Sequence, residues 1–435
     1  MTIMTSFFFD YRNSIARRVS MKNKRRGVVF TCIAWTVFSV ALSAQEPPDK
    51  TLTLKIGDPR YKDKTIDVAP GQIYAMETGT PIAFERMIRE MKGVPLVHIG
   101  ETHNSLPIHE LQARILRALY EQDRRVAVGL EMFPTTQQEA LSKWGLGILT
   151  EDEFIREGQW YVTWNQNFAF YRPIFSFAKA NAIPLYGLNA PREVISKIRM
   201  LGWDALTDAE KALVPKPDLT HQEHRELLKT IFGNEHLPPQ MKGAGMDMMF
   251  EGLYRGQSAW DEVMGLNAVR VHDLDKRQVI VLVGSGHLLY NLGLNRRAFE
   301  KSRLPFKTVV AVAVPKGKPS LAVSRSLADY IVGIPEEERA AYPSVGLGFK
   351  KFKDLDNLVV EAKPIDGVAL GQDFEKGDVV LSVDGKTYSD VNDLRTALAR
   401  IAWDAEAKFR ILRAGTEKEI VLKFREQPPA PETKK

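Results

Sequence analysis

The chain has 435 residues, 44% hydrophobic, 26% charged and 9% aromatic, a globular composition that excludes collagen-like, wholly disordered and many-span membrane proteins. Its formal charge of +6 is local: residues 1–44 hold seven Lys/Arg against Asp10 alone, leaving 53 of the 60 bases to balance 53 of the 54 acids. With that balance the electrostatic case for a nucleic-acid partner disappears.

In residues 1–44, Lys22-Asn23-Lys24-Arg25-Arg26 precedes an apolar run from Gly27 to Leu42, and Leu42-Ser43-Ala44 ends it before Gln45-Glu46-Pro47-Pro48. This pattern reads as a secretory signal begun at Met21 and predicts an exported, periplasmic protein. An uncleaved membrane anchor is the alternative. Cys32, the one cysteine, lies inside the apolar run behind Thr31, a poor context for lipid attachment. A processed chain then has no thiol, which excludes disulfides and thiolate–metal sites.

Residues 45–92 read as a polar lead-in with one amphipathic helix, Pro81 to Met91. From 93 to 315, apolar runs alternate with helical patterns, the signature of an α/β domain: a largely parallel sheet flanked by helices. The expected strands are Pro95–Ile99, Arg125–Leu130, Pro184–Leu188, Val279–Val283 and Thr308–Val314. Expected helices are Pro107–Tyr120, Thr135–Lys143, Glu151–Glu157, Arg172–Ala180 and Pro191–Leu201. Residues 203–275 form a helical insertion, 316–343 a linker, 344–426 a small, mainly β domain, and 427–435 a disordered tail.

Open parallel sheets carry their sites beyond the carboxyl ends of the strands. Three of the predicted strands end in ionisable groups: His98-Ile99-Gly100-Glu101-Thr102-His103, Val128-Gly129-Leu130-Glu131 and Val283-Gly284-Ser285-Gly286-His287. Glu101, His103, Glu131 and His287 are therefore expected to converge as a divalent metal site or an acid/base set. Gly284-Ser285-Gly286 has the alternative reading of an anion cradle. His221 and His224, at i and i+3 on a charged helix, read as a solvated face. Trp160, Trp164 and Phe168 read as a core stripe on one helix face.

These residues carry a family resemblance. Gly100-Glu101-Thr102-His103 with Pro107, His109 and Gln112 resembles the opening motif of the ChaN-like haem-binding uptake family. So do Leu130-Glu131-Met132-Phe133 with Gln137, Trp160 and Trp164 before Tyr171-Arg172-Pro173, Gly187-Leu188-Asn189-Ala190-Pro191-Arg192, Trp260-Asp261-Glu262-Val263-Met264 and Gly284-Ser285-Gly286-His287. The family resembles erythromycin esterases and Tiki/TraB proteases in turn. The resemblance implies haem or a divalent metal ion as cofactor, with His103, Arg172, Asn189, Arg192 and His287 as contacts. It implies as alternative a metal-dependent hydrolase using Glu101, His103, Glu131 and His287, so whether the protein is an enzyme stays open. Met241, Met246, Met248, Met249, Phe250 and Tyr254 either line an apolar haem slot or simply pack. The chain departs from these typically lipid-anchored relatives in lacking a proper lipobox.

Gly346-Leu347-Gly348-Phe349, followed by Lys376-Gly377-Asp378-Val379-Val380-Leu381-Ser382-Val383-Asp384-Gly385, resembles a PDZ domain. The resemblance implies a protein partner whose C-terminal carboxylate is held by the glycine-rich backbone, with Leu347 and Phe349 flooring the pocket for its last side chain. Docking within the chain is the alternative use of the same groove.

Overall fold

The computed structural model describes residues 49–232 and 244–425. The signal segment, the 427–435 tail and Met241 lie outside them, as does the side chain of Met246. The α/β domain contains strands β1 (Thr65–Val68), β2 (Ile73–Ala75), β3 (Thr80–Ile82), β4 (Leu96–Glu101), β5 (Val126–Pro134), β6 (Leu185–Asn189), β7 (Gln278–Gly284), β8 (Phe306–Val314), β9 (Leu321–Ser324) and β10 (Tyr330–Pro335). Eight of them form one sheet in the order β3-β2-β10-β8-β4-β7-β5-β6. The six strands from β10 to β6 run parallel, and β2 and β3 run antiparallel at one edge.

Helices cover both faces, so the parallel strands are apolar on both sides. Side chains alternate between faces along a strand. Val97 and Ile99 of β4, Val126, Val128 and Leu130 of β5 and Ile280 and Leu282 of β7 enter one core cluster. Leu96, Ala127, Val279, Val281 and Val283 enter the other. The same alternation sends Glu101 toward the first layer, with the helices Leu106–Gln122 and Arg172–Ala180, and Glu131 toward the second, with the long helix Ala244–Asp275.

Two expectations are corrected. Residues 45–92 are more than a lead-in, because β2 and β3 join the main sheet and β1 pairs with β9; the helix itself begins only at Phe84. Residues 316–343 are not a linker, because β10 lies between β2 and β8 in the main sheet. The Gly/Pro-rich stretch at 315–319 is a turn inside the domain, and Tyr330-Ile331-Val332-Gly333-Ile334 is a short apolar run of the kind buried strands use. The described elements of residues 203–275 are all helical, with an irregular stretch at 212–221. The carboxyl half of Ala244–Asp275 is the crossover into β7 and packs on β6 and β7, which places it in the body of the domain.

The small carboxyl-terminal domain is a five-stranded sheet of β11 (Phe349–Lys351), β12 (Leu358–Val360), β13 (Val379–Val383), β14 (Glu406–Arg413) and β15 (Thr416–Lys423) in sequential order, with one helix, Val391–Ala399. It closes around its own apolar cluster, which includes Leu347 and Phe349. No described helix is long and apolar enough to cross a membrane.

Candidate functional site

β4, β7 and β5 are neighbours, and Glu101 stands opposite Gly284 in register. The strand-end residues therefore meet at one edge, although Glu101 and Glu131 leave the sheet on opposite faces. The two halves join over Gly284. Its N–H donates to Glu131 Oε2 at 2.6 Å, and a side chain there would place Cβ 3.0 Å from His103 Cε1 and 3.5 Å from Glu131 Oε2. The glycine-rich turn thus holds a carboxylate of its own chain, which corrects its reading as a cradle for an external anion.

On the first face, Glu101 Oε1 lies 2.8 Å from His103 Nδ1 and accepts the Tyr171 hydroxyl at 2.5 Å. Gln112 Nε2 donates to Oε2 at 2.9 Å, and His109 Nδ1 sits 3.0 Å from the Gln112 amide oxygen. Burial works against a charged Glu101, but the imidazoles of His109 and His103 and the Tyr171 hydroxyl hold its pKa at about 2. Burial also opposes protonation of His103, yet the Glu101 hydrogen bond and the charges of Glu101 and Glu131 raise its pKa. Glu101 engages Nδ1, while Nε2 makes no hydrogen bond among the described residues; the side chain is 17% exposed. Trp164 meets the His103 ring edge-on at 4.6 Å, and its indole N–H donates to the Tyr171 hydroxyl at 2.9 Å.

On the second face the groups form a row. His224 Nε2 lies 3.3 Å from Asp261 Oδ2, at ion-pair distance but outside hydrogen-bond geometry. Asp261 Oδ1 is 2.6 Å from His287 Nδ1, and His287 Nε2 is 3.3 Å from Glu131 Oε1. Gln257 abuts His287 Nδ1 at 2.8 Å. Despite burial, Glu131 and Asp261 push the His287 pKa up to about 10, and His287 in turn helps hold both acids charged. Burial lowers the pKa of His224.

The structure thus brings Glu101, His103, Glu131 and His287 together, but not around one point. Among the described residues no three His or acid side chains are arranged to hold a metal ion. Both nitrogens of His287 and one of His103 face carboxylates, so the expected metal shell is corrected to two charge-paired sets. Asn189 borders the site through a 3.1 Å bond from Nδ2 to the Glu131 carbonyl. Arg172 is turned away and pairs with Glu151 at 2.7 and 2.8 Å. Arg192 is exposed in the first turn of Arg192–Leu201. Met248 is 75% exposed, while Phe250 stacks on Tyr254 beneath Arg225 and Lys229.

His224 is fully buried, which corrects its placement on a solvated face. The helix begins only at Gln222, with His221 as its cap. Nor do Trp160, Trp164 and Phe168 stripe one helix. The helix Trp160–Thr163 stops before Asn165, whose φ is +65°, and Trp164 turns to His103 while Trp160 and Phe168 enter the core. Tyr171 and Asp261 belonged to motifs read from the sequence, but nothing in their spacing marked them as partners of Glu101 and His287.

In the small domain, Gly346 has φ +72°, and a Cβ there would strike the Asp366 carbonyl at 2.0 Å. Glycine is required at that position. The N–H groups of Leu347 and Gly348 donate to no acceptor among the described residues, and β11 is a sheet edge.

Residues 87–297 match the family described as haem-binding uptake, Tiki superfamily, ChaN, and residues 343–424 match the PDZ domain family. No curated protein sequence matches. Among solved structures, ChaN of Campylobacter jejuni with cofacially bound haem is similar at 20% identity over 60% of this chain and 95% of that one, with a TM-score of 0.48. An erythromycin esterase mutant, EreC, in its open conformation aligns at 12% identity over 60% of this chain and 82% of that one, with a TM-score of 0.34. The HtrA-type protease AlgW with a decapeptide aligns at 18% identity over 27% of this chain and 42% of that one, with a TM-score of 0.19.

Proposed function

From a chain that joins a ChaN-type domain of the Tiki superfamily to a PDZ domain, we propose an exported haem-binding protein of the cell envelope whose PDZ domain recruits a protein partner. The observation that carries this reading is the match of residues 87–297 to a haem-binding uptake family. The donor set fits an iron ligand. His103 keeps Nε2 free of hydrogen bonds among the described residues while a carboxylate fixes Nδ1, the arrangement that orients a ligating imidazole and raises its basicity. Trp164 supplies an apolar surface beside it. The helix Ala244–Asp275 leads directly into β7, and its residues 248–256 precede Gln257 over a length on the order of 13 Å. Bound haem would supply an iron centre; the chain's part is to hold and orient it. Haemin added to the purified protein is expected to give a Soret band shifted from that of free haemin and lost in His103→Ala. An unshifted band in the wild type would reject the reading.

A second reading, a hydrolase acting on an ester or peptide, is favoured by one observation. The row Asp261–His287–Glu131 keeps a charged imidazole between two buried acids, more apparatus than an iron ligand needs. In this reading His103, backed by Glu101, takes the proton from water, and His287 holds Glu131 in place. Hydrolysis across an ester and peptide panel, abolished in His103→Ala and His287→Ala with folding intact, would replace the first reading.

For the PDZ domain the proposed partner is an envelope protein with an apolar C-terminal residue, bound at about micromolar strength because an extended tail must be ordered. Amidating the peptide terminus is expected to remove most of that affinity. Export is tested by N-terminal sequencing of the protein recovered from cells, with Gln45 expected first.

A further inference from the structure

The stretch from Tyr161 to Asn167 belongs to the α/β domain yet runs along the PDZ helix Val391–Ala399. The Tyr161 N–H donates to Asn392 Oδ1 at 3.0 Å near the start of that helix, and Asn167 Nδ2 donates to the Ala399 carbonyl at 2.9 Å at its end. Midway, the guanidinium of Arg395 is buried and donates both to the Leu347 carbonyl, inside the Gly346–Phe349 loop, and to the side-chain carbonyl of Asn165. Burial pulls the Arg395 pKa down to about 10, opposed by Tyr161 and by the carboxylates of Asp366 and Glu361, none of which hydrogen-bonds it. This buried cation is held by neutral oxygens, a poor substitute for a counterion.

Asn165 is followed back along the chain by Trp164, whose ring lies against His103 and whose indole is tied through Tyr171 to Glu101. Three side chains, Arg395, Asn165 and Trp164, therefore link the PDZ loop to the strand-end site. We propose that a peptide carboxylate entering the Gly346–Phe349 loop draws Arg395 off Asn165, and that the freed 161–167 stretch carries Trp164 off His103, so that PDZ occupancy opens the site. The proposal rests on the reading of that loop as a carboxylate cradle. The drive is chemical: Arg395 hydrogen-bonds only neutral carbonyl oxygens, and an arriving carboxylate adds at hydrogen-bond distance the opposite charge that Asp366 and Glu361 supply only through space. Linkage makes the effect reciprocal, so opening the site tightens peptide binding by the same factor.

The test uses the full chain and decapeptides ending in Val, Leu or Phe, each as free acid and as amide. Binding is read by fluorescence anisotropy. Exposure of His103 is read as its rate of modification by diethylpyrocarbonate, mapped by mass spectrometry. Saturating free-acid peptide is expected to raise that rate at least about fivefold, the lower end of typical couplings. Asn165→Gly, which keeps the left-handed backbone, is expected to give the raised rate without peptide and to bind peptide more tightly by the same factor. Arg395→Lys, which keeps the charge but cannot bridge two oxygens in a fork, serves as the second variant. A free-acid peptide that binds yet leaves the His103 rate unchanged overturns the coupling and leaves the carboxylate reading standing. Equal binding of acid and amide, or no binding, overturns that reading and the coupling with it.

Discussion

Glu101 is fully buried yet charged because every neighbour donates to it: His103, Tyr171 and Gln112 take its oxygens at 2.5 to 2.9 Å. Replacing it with Gln removes the charge that fixes the His103 ring, and haem affinity is expected to fall about 10- to 100-fold, as for other groups that orient a ligating imidazole. A Soret titration measures it, and unchanged affinity would mean that His103 is not the ligand. His287 makes a pH prediction. Its folded pKa of about 10 lies above the ordinary 6.5, so its ion pairs contribute fully below about pH 6.5 and are lost as pH rises toward 10. Glu101 has the opposite sign: held at about 2 against an ordinary 4.5, its contribution is present above 4.5 and lost as pH falls through 2. Wild-type Tm is therefore expected to decline from pH 6.5 to 10, and His287→Gln to flatten that arm; a flat wild-type profile would show that His287 is not held charged. The four strand-end residues were legible because an ionisable group closing an apolar run is conspicuous. His224 and Asp261 were not, because within a helix a polar residue reads as surface until tertiary packing shows which face is covered.

Between elements, the central strands were legible from their continuous apolar runs, which only a sheet covered on both faces requires. β2, β3 and β9 were missed because three- and four-residue strands carry too little pattern, and β10 because its run follows a Gly/Pro-rich turn that imitates a domain end. The convergence of β4, β7 and β5 depends on Gly284, where the two faces meet. In Gly284→Ala the new Cβ would press on the His103 ring, with Glu131 in ordinary contact; the expected loss of stability is about 1–3 kcal/mol, as for other overpacked sites. Haem affinity should fall by more than that loss implies. Denaturant unfolding alongside the Soret titration separates the two effects, and intact binding would place the ligand away from this turn.

Across the whole molecule, the two domains are joined by exposed ion pairs, Arg156–Asp393 and Arg400–Asp152, and by better-buried hydrogen bonds. Exposed pairs contribute about 0–1 kcal/mol each. Asp152→Asn with Asp393→Asn is therefore expected to leave the calorimetric melting of the full chain nearly unchanged. Asn392→Ala strands the buried Tyr161 N–H, at a cost of about 1–3 kcal/mol. A larger effect from the acid pair would mean that surface charge holds the domains together. The order of the main sheet carries a further consequence. β1 pairs with β9 and β2 with β10, so the first strands of the domain have their partners at its far end. During synthesis from the N-terminus, the β2–β3 hairpin has no seat in the sheet until residues near 335 have followed. Such non-local closure is slow and comes late, so the sheet's last stitch waits for the domain's own carboxyl end and is made while the PDZ domain is still being synthesised.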